Sequence, residues 1–287
     1  MTLQAICDVM GISRQAYHQK KHREERKRRE KEKVLFLVRI IRRDHPRIGG
    51  RKLLAKLQPF LRQEGIRLGR DRLYRWLREE DLLVLPRRSR IRTTQPGDQA
   101  FSNLLEGYLV SGPDDAWVAD ITYLPVGGGY WYLFVVMDVY SRKIVGWQLG
   151  AHLWAVYALD ALRMAVEQAN GRQRETVHHS DHGVQYTSQR YQEYLEGHGI
   201  KASMGRKGYV YHNAYVERVI RTLKEEYGLG KGFPGATSLR RAVEETIMVY
   251  NTDRPHQALG YATPEDVYTG KVLIPPFEAI KTSGRSS

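Results

Sequence analysis

The chain has 287 residues, 41% of them hydrophobic, and carries a formal net charge of +14 at pH 7. That is enough apolar material for a sizeable core in one large domain or two to three smaller ones. The single cysteine, Cys7, excludes an intrachain disulfide and any Cys-paired zinc module, which fits a reducing compartment; no apolar run reaches membrane-spanning length, and the N-terminus lacks a secretory pattern. Charge is unevenly spread: residues 1–97 hold 27 Lys and Arg against 11 Asp and Glu, and the remainder 19 against 21. A basic first third ahead of a near-neutral body points to a polyanion-binding module, with nucleic acid the first candidate and an anionic membrane surface the second.

In chain order, L-Q-A-I-C-D-V-M-G-I-S-R-Q-A-Y-H-Q (residues 3–19) reads as a short helix stopped at Gly11 and a second helix capped by Ser13, the shape of a helix-turn-helix. Residues 20–33 interleave both charge signs and suit a solvated helix laced by i,i+4 pairs. They lead into a packed helix that ends before Pro46. A second helical hairpin follows, its last helix starting after Gly69 with Leu73, Trp76 and Leu77 on one side and Arg70, Arg72, Arg75 and Arg78 on the others. That arginine coat suits contact with DNA. A basic, Pro-containing stretch from Pro86 reads as a linker.

From about residue 114 the pattern turns to β: A-W-V-A-D-I-T-Y-L-P, a G-G-G turn, the long apolar Y-W-Y-L-F-V-V-M-D-V, and I-V-G-W-Q-L. Helix, strand, helix, strand and helix then alternate to about residue 228, with Thr187 or Ser188 capping the middle helix. Three antiparallel strands followed by two crossover units describe a ribonuclease-H-like mixed five-stranded sheet with flanking helices, behind an all-α DNA-binding region.

Three acids stand out on this frame. Asp120 falls on the first strand, Asp181 just after the fourth in H-H-S-D-H, and Glu217 at the start of the last helix, with thirty-five residues between it and Asp181. The first and fourth strands would be parallel neighbours and the helix can pack beside them. The carboxylates then converge at one sheet edge, able to hold two divalent cations roughly 3.5–4 Å apart for phosphoryl transfer. Arg221 and Lys224 stand four and seven residues after Glu217 on the same helical face, placed to hold phosphates. His178 and His179 point opposite ways on a strand, against a shared zinc ion, whereas His182 suits positioning a water or phosphate. Asp138 is a further acid within reach of Asp120, and Trp117, Trp131 and Trp147 read as core.

The stretches W-V-A-D-I-T-Y, V-M-D-V-Y-S-R-K-I-V-G-W, H-S-D-H-G-V-Q-Y-T-S, H-N-A-Y-V-E-R-V-I-R-T-L-K and Y-N-T-D-R-P-H-Q-A-L-G-Y-A-T-P together resemble bacterial insertion-sequence transposases with an Asp-Asp-Glu core of the retroviral integrase superfamily. The likeness is to the second-reading-frame product of copy-out–paste-in elements and covers roughly residues 45–268. It implies that Asp120, Asp181 and Glu217 are the catalytic metal ligands and that Lys224 is the basic residue seven positions on. It also implies that residues 45–97, with Arg51 and Lys52, form a helix-turn-helix module and linker. Two departures are visible: His212-Asn213-Ala214 where Asp-Asn-Ala is common, and Arg218 where Ser often follows the glutamate. Asn213 then joins His182 as a supporting residue.

The implied division is a helical region at 1–44, the module and linker at 45–97, a catalytic core at 98–230 and a helical extension and tail at 231–287. The implied activity is cleavage at element ends and strand transfer with two magnesium ions, manganese substituting. Implied partners are the terminal inverted repeats and target DNA, a second copy at least, and a companion protein from an upstream reading frame, all in the bacterial cytoplasm at the nucleoid. The rival readings are a ribonuclease-H-like nuclease without joining and a non-catalytic DNA-binding repressor.

Overall fold

The computed structural model describes residues 9, 11, 13–84, 102–172, 175–204 and 214–280. The first helix expected ahead of Gly11, apart from Val9, the basic linker from Pro86 and the pair His212-Asn213 lie outside the described residues. The chain divides into two units, Met1–Arg87 and Arg88–Ser287.

The first unit is helical. Ser13 caps helix α1, Arg14–Asp44, by accepting a hydrogen bond from the Ala16 amide at 3.1 Å. One 31-residue helix thus spans the segments read separately above. Its first half is polar on every side and exposed, tied along its surface by Arg26–Glu30 and Arg28–Glu32 pairs at 3.2 and 3.0 Å. Its second half changes character at Val34. Val34, Val38 and Ile41 recur at helical spacing and meet Leu53, Leu57 and Leu61 of α2 (Gly50–Gln63) and Leu73, Trp76 and Leu77 of α3 (Arg70–Glu79) in one core. Gly50 makes the α2–α3 approach possible, because a Cβ there would lie 2.6 Å from the Tyr74 ring. Lys31 reaches Glu79 and Glu80, each at 2.9 Å, joining α1 to the end of α3.

The second unit is built on a mixed five-stranded sheet in the order β4-β3-β2-β5-β6. Its strands are β2 (Ala116–Val126), β3 (Gly129–Asp138), β4 (Ile144–Gly150), β5 (Val177–Ser180) and β6 (Lys201–Met204), while β1 (Leu109–Val110) pairs elsewhere. β2, β3 and β4 are an antiparallel meander; β5 joins β2, and β6 joins β5, in parallel. Both faces are covered, so the strands read as apolar runs rather than alternating ones. Trp117 and Ala119 face α4 (Ala155–Ala169) and α5 (Gln189–Gly197). Val118, Leu124 and Val126 face Val216, Val219 and Ile220 of α6 (Ala214–Arg221) and Leu239 and Val243 of α7 (Ala236–Thr252). Gly146 lets α4 lie close on β4: a Cβ there would sit 2.0 Å from the Ala161 carbonyl oxygen. Trp117 is fully buried, and Trp131 and Trp147 pack half-buried against the opposite core.

Packing crosses both boundaries drawn at 44/45 and 230/231. The apolar half of α1 shares its core with α2 and α3. The C-terminal segment closes back on the sheet unit through α7, α8 (Pro264–Tyr268) and β7 (Phe277–Glu278), which pairs antiparallel with β1. Tyr268 of α8 donates to the buried Asp114 carboxylate, which also takes Arg172 at 2.9 Å and the Trp117 indole N–H at 3.0 Å.

Candidate active site

β2 and β5 run side by side with Trp117 opposite His178 and Val118 opposite His179. Continuing that register by two residues brings Asp120, in mid-strand, level with Asp181, the residue after β5. β5 stops at Ser180, and the next described backbone to meet β2 on that side is Phe233, which bridges Val126. Asp181 is turned by its own loop: its Oδ1 accepts from the Gly183 amide at 3.0 Å, the local pattern expected of an Asp in a tight turn. A Cβ at Gly183 would lie 3.0 Å from both that oxygen and Gln185 Oε1, a tight fit between two side-chain ends. Glu217 is in the first turn of α6 and exposed, while its neighbours Val216, Val219 and Ile220 anchor the helix.

Asp120 is partly buried and its Oδ1 accepts from the Ile121 amide at 2.8 Å. Burial pushes its carboxyl up to about 7, and the charges of Asp181 and Glu217 push the same way; the Ile121 amide and Lys224 oppose them. Asp181 is raised as well, chiefly by burial, against the Gly183 hydrogen bond and the charge of His182. Lys224 is lowered by burial and held up by Asp120; its Nζ lies 4.1 Å over the Tyr123 ring. Three charged groups, Asp181, Glu217 and Lys224, therefore act on one carboxylate. Among the described residues no three His, Cys, Asp or Glu side chains are gathered closely enough to clasp an ion.

α6 does not continue regularly to Lys224. From Thr222 to Glu226 the chain makes a wider π turn, with the Tyr227 amide bonding to the Thr222 carbonyl and the Thr222 hydroxyl to the Arg218 carbonyl. Arg221, before the turn, is exposed. The i+7 spacing alone thus does not fix where Lys224 points.

The histidines behave as core groups. His178 lies 2.9 Å from the Tyr191 hydroxyl and burial lowers its pKa to about 4; His179 Nδ1 meets Ser203 Oγ at 2.9 Å. His182 is partly buried beside Asp181. Asp138 is remote from Asp120: it lies opposite Trp117, three residues down β2, about 10 Å along the strand. There it accepts from the Ser141 amide and hydroxyl and from the Asp114 amide. In the first unit Arg51, Arg70, Arg75 and Arg78 are exposed and Lys52 is half-buried. Arg70 pairs with Asp71 at 2.8 Å. Arg72 is taken up internally, 3.8 Å from Glu30, hydrogen-bonded to the Arg67 carbonyl and 5.0 Å from the Trp76 ring. Tyr123 was not singled out by the sequence; an exposed aromatic three residues past a strand acid is the signal that marks it.

Residues 110–209 match an integrase core domain model and residues 198–264 a second model of the same description. A 31 kDa protein of insertion element IS600 from Shigella sonnei is 33% identical over 264 residues, covering 90% of this chain and 96% of that protein. The chain belongs to the insertion-sequence transposase family with an integrase core. Transposase InsF of insertion sequence IS3A from Escherichia coli K12 is 40% identical over 165 residues, and that match covers 57% of each chain. The chain thus spans just over half the length of the InsF proteins it matches. In solved structures, the catalytic core of HTLV-2 integrase in complex with magnesium aligns over 55% of this chain and 97% of that one, at 17% identity and a TM-score of 0.45.

Proposed function

We propose that this member of the transposase family cuts DNA strands at the ends of its element and joins the freed 3′-hydroxyls to new phosphodiesters. The observation that carries this reading is the electrostatic meeting of Asp181, Glu217 and Lys224 on Asp120, at the stretch of β2 that extends beyond β5. Three carboxylates repel one another, and a divalent cation is the partner that would draw them in; hard oxygen donors suit magnesium, with manganese as a substitute. Bound by Asp120, Asp181 and Glu217, two such ions would supply activation of the attacking oxygen and stabilisation of the leaving one.

The chain's own groups do the rest. Asp120, which feels the charges of both other acids, would be one of the residues that hold the ions. Lys224, desolvated beside Tyr123, would hold a phosphate against the site, where partial burial strengthens each charge interaction. Arg221 would reach the same backbone from the exposed side of α6, and His182, with Asn213, would order the attacking water or the phosphate. Arg51, Lys52, Arg70, Arg75 and Arg78 of the basic first unit would hold the terminal repeats. Bringing two ends together requires at least two copies, and a companion from an upstream reading frame would complete the assembly at the nucleoid.

Full-length protein incubated with labelled element ends, magnesium and acceptor plasmid is expected to give joined products. Cleavage without any joined product would leave a nuclease instead.

A further inference from the structure

The segment Tyr250–Asn251–Thr252–Asp253–Arg254–Pro255–His256 lies past the catalytic helix and has no part in the reading above, yet it holds a concentrated set of buried polar contacts. Asn251, at the end of α7, clamps the β4 backbone at one residue: its Oδ1 accepts from the Ile144 amide at 2.9 Å and its Nδ2 donates to the Ile144 carbonyl at 3.0 Å. The Tyr250 hydroxyl donates to the Arg142 carbonyl at 3.1 Å. α7 is thereby fixed to the sheet. Arg254, only 4% exposed, then reaches from that fixed helix end to Glu226 in a two-pronged pair, Nε to Oε1 at 3.2 Å and Nη2 to Oε2 at 2.9 Å. Its third nitrogen lies 2.9 Å from His256 Nε2.

Glu226 is the last residue of the π turn, and Lys224 is in the middle of it. A π turn is a weakly determined piece of backbone that needs outside support to persist. A buried ion pair adds little net stability over apolar packing, because desolvating two charges offsets most of the attraction. What a planar guanidinium gripping both carboxylate oxygens does supply is fixed geometry. Gly230 completes the cradle from the other side, where an added Cβ would lie 3.4 Å from Lys224 Cβ.

We propose that Arg254 is a positioning residue for Lys224: through Glu226 it sets the π turn, and the π turn aims the Lys224 ammonium between the Tyr123 ring and Asp120, where it takes a DNA phosphate. This rests on the function proposed above. Arg254 itself, buried under the turn, does not reach the DNA.

The test compares wild-type full chain, Lys224→Gln, Arg254→Lys and the double variant. Each is assayed for the salt dependence of binding to an element-end duplex, with thermal melting alongside. Loss of one phosphate contact lowers the slope of log K against log salt by about one. Lys224→Gln is expected to lower it by that amount, Arg254→Lys by the same amount despite its burial, and the double variant by about one rather than two. Glu226→Gln, which keeps the side-chain shape and removes the charge, is expected to repeat the result if Arg254→Lys melts early. A wild-type slope in both Arg254→Lys and Glu226→Gln, or a double variant that loses two, would overturn the proposal. Joining by the wild-type chain is read separately, so a failed strand-transfer assay and an unchanged slope are distinct results.

Discussion

The two units use charge in opposite ways. In the helical unit the charges are numerous and mostly on the outside: Arg26, Arg28, Arg62, Arg75 and Arg78 are all exposed, and what holds the unit together is an aliphatic seam along α1, α2 and α3. In the sheet unit several charges are inside: Asp114 and Asp138 are at most 2% exposed, and Lys143 and Arg254 at most 5%. The first arrangement makes a field, spread over many interchangeable groups and open to salt. The second makes positions, where each group has a fixed partner: Asp114 with Arg172, Asp138 with Ser141, Lys143 with Glu265 and Arg254 with Glu226. Substitutions should therefore act gradually in one unit and abruptly in the other.

The sharpest break is expected at the three acids. Asp120→Asn, Asp181→Asn and Glu217→Gln should each cut the rate of strand joining about a thousandfold or more while end binding persists, and any two together should be little worse than one. Loss by simple addition would mean the acids do not work as a unit. Next in size is Asp114→Ala, which strips Arg172, the Tyr268 hydroxyl and the Trp117 indole of their shared acceptor. A loss of about 3–5 kcal/mol in urea unfolding is expected, against less than about 1 kcal/mol for Arg28→Ala on the exposed face of α1.

A third effect depends on pH. Burial raises the Asp138 carboxyl from 3.8 to about 7, so it takes up a proton on folding between those values. Wild-type stability should therefore fall as pH rises through that window, its share fully lost above pH 7. Asp138→Asn cannot titrate and gives up one of the two oxygens that accept from Asp114 and Ser141. It should be the less stable protein at pH 4.5, by about 1–3 kcal/mol, with the gap narrowing by pH 8. A gap that widens with pH would reverse the assignment. The smallest effects are in the first unit: Arg75→Ala and Arg78→Ala should each weaken DNA binding a few-fold, uniformly across sequences, and lower the salt slope by about one.

Much of the sheet was legible because its strands are long apolar runs separated by G-G-G and S-R-K turns, and because helix and strand then alternate in the one order that a right-handed crossover allows. The elements that carry Asp120, Asp181 and Glu217 were legible too: a strand, the loop after another strand, and the first turn of a helix. The π turn was not: nothing in T-L-K-E-E departs from helical composition, and the partner of its last residue, Glu226, is Arg254, twenty-eight residues on. The remoteness of Asp138 from Asp120 was equally hidden, because it follows from strand register, set by Trp117 facing Asp138, which a pattern of apolar residues leaves open. The pairing of β1 with β7 joins segments more than 160 residues apart, and two-residue strands leave no periodic signal.

The central claim is that three acids on separate elements hold divalent cations as one site. Manganese binding followed by electron paramagnetic resonance tests it directly, without any DNA. Wild-type chain should take up two ions, and Asp120→Asn, Asp181→Asn and Glu217→Gln should each lose at least one while keeping the wild-type melting behaviour. Undiminished binding by all three variants would contradict it.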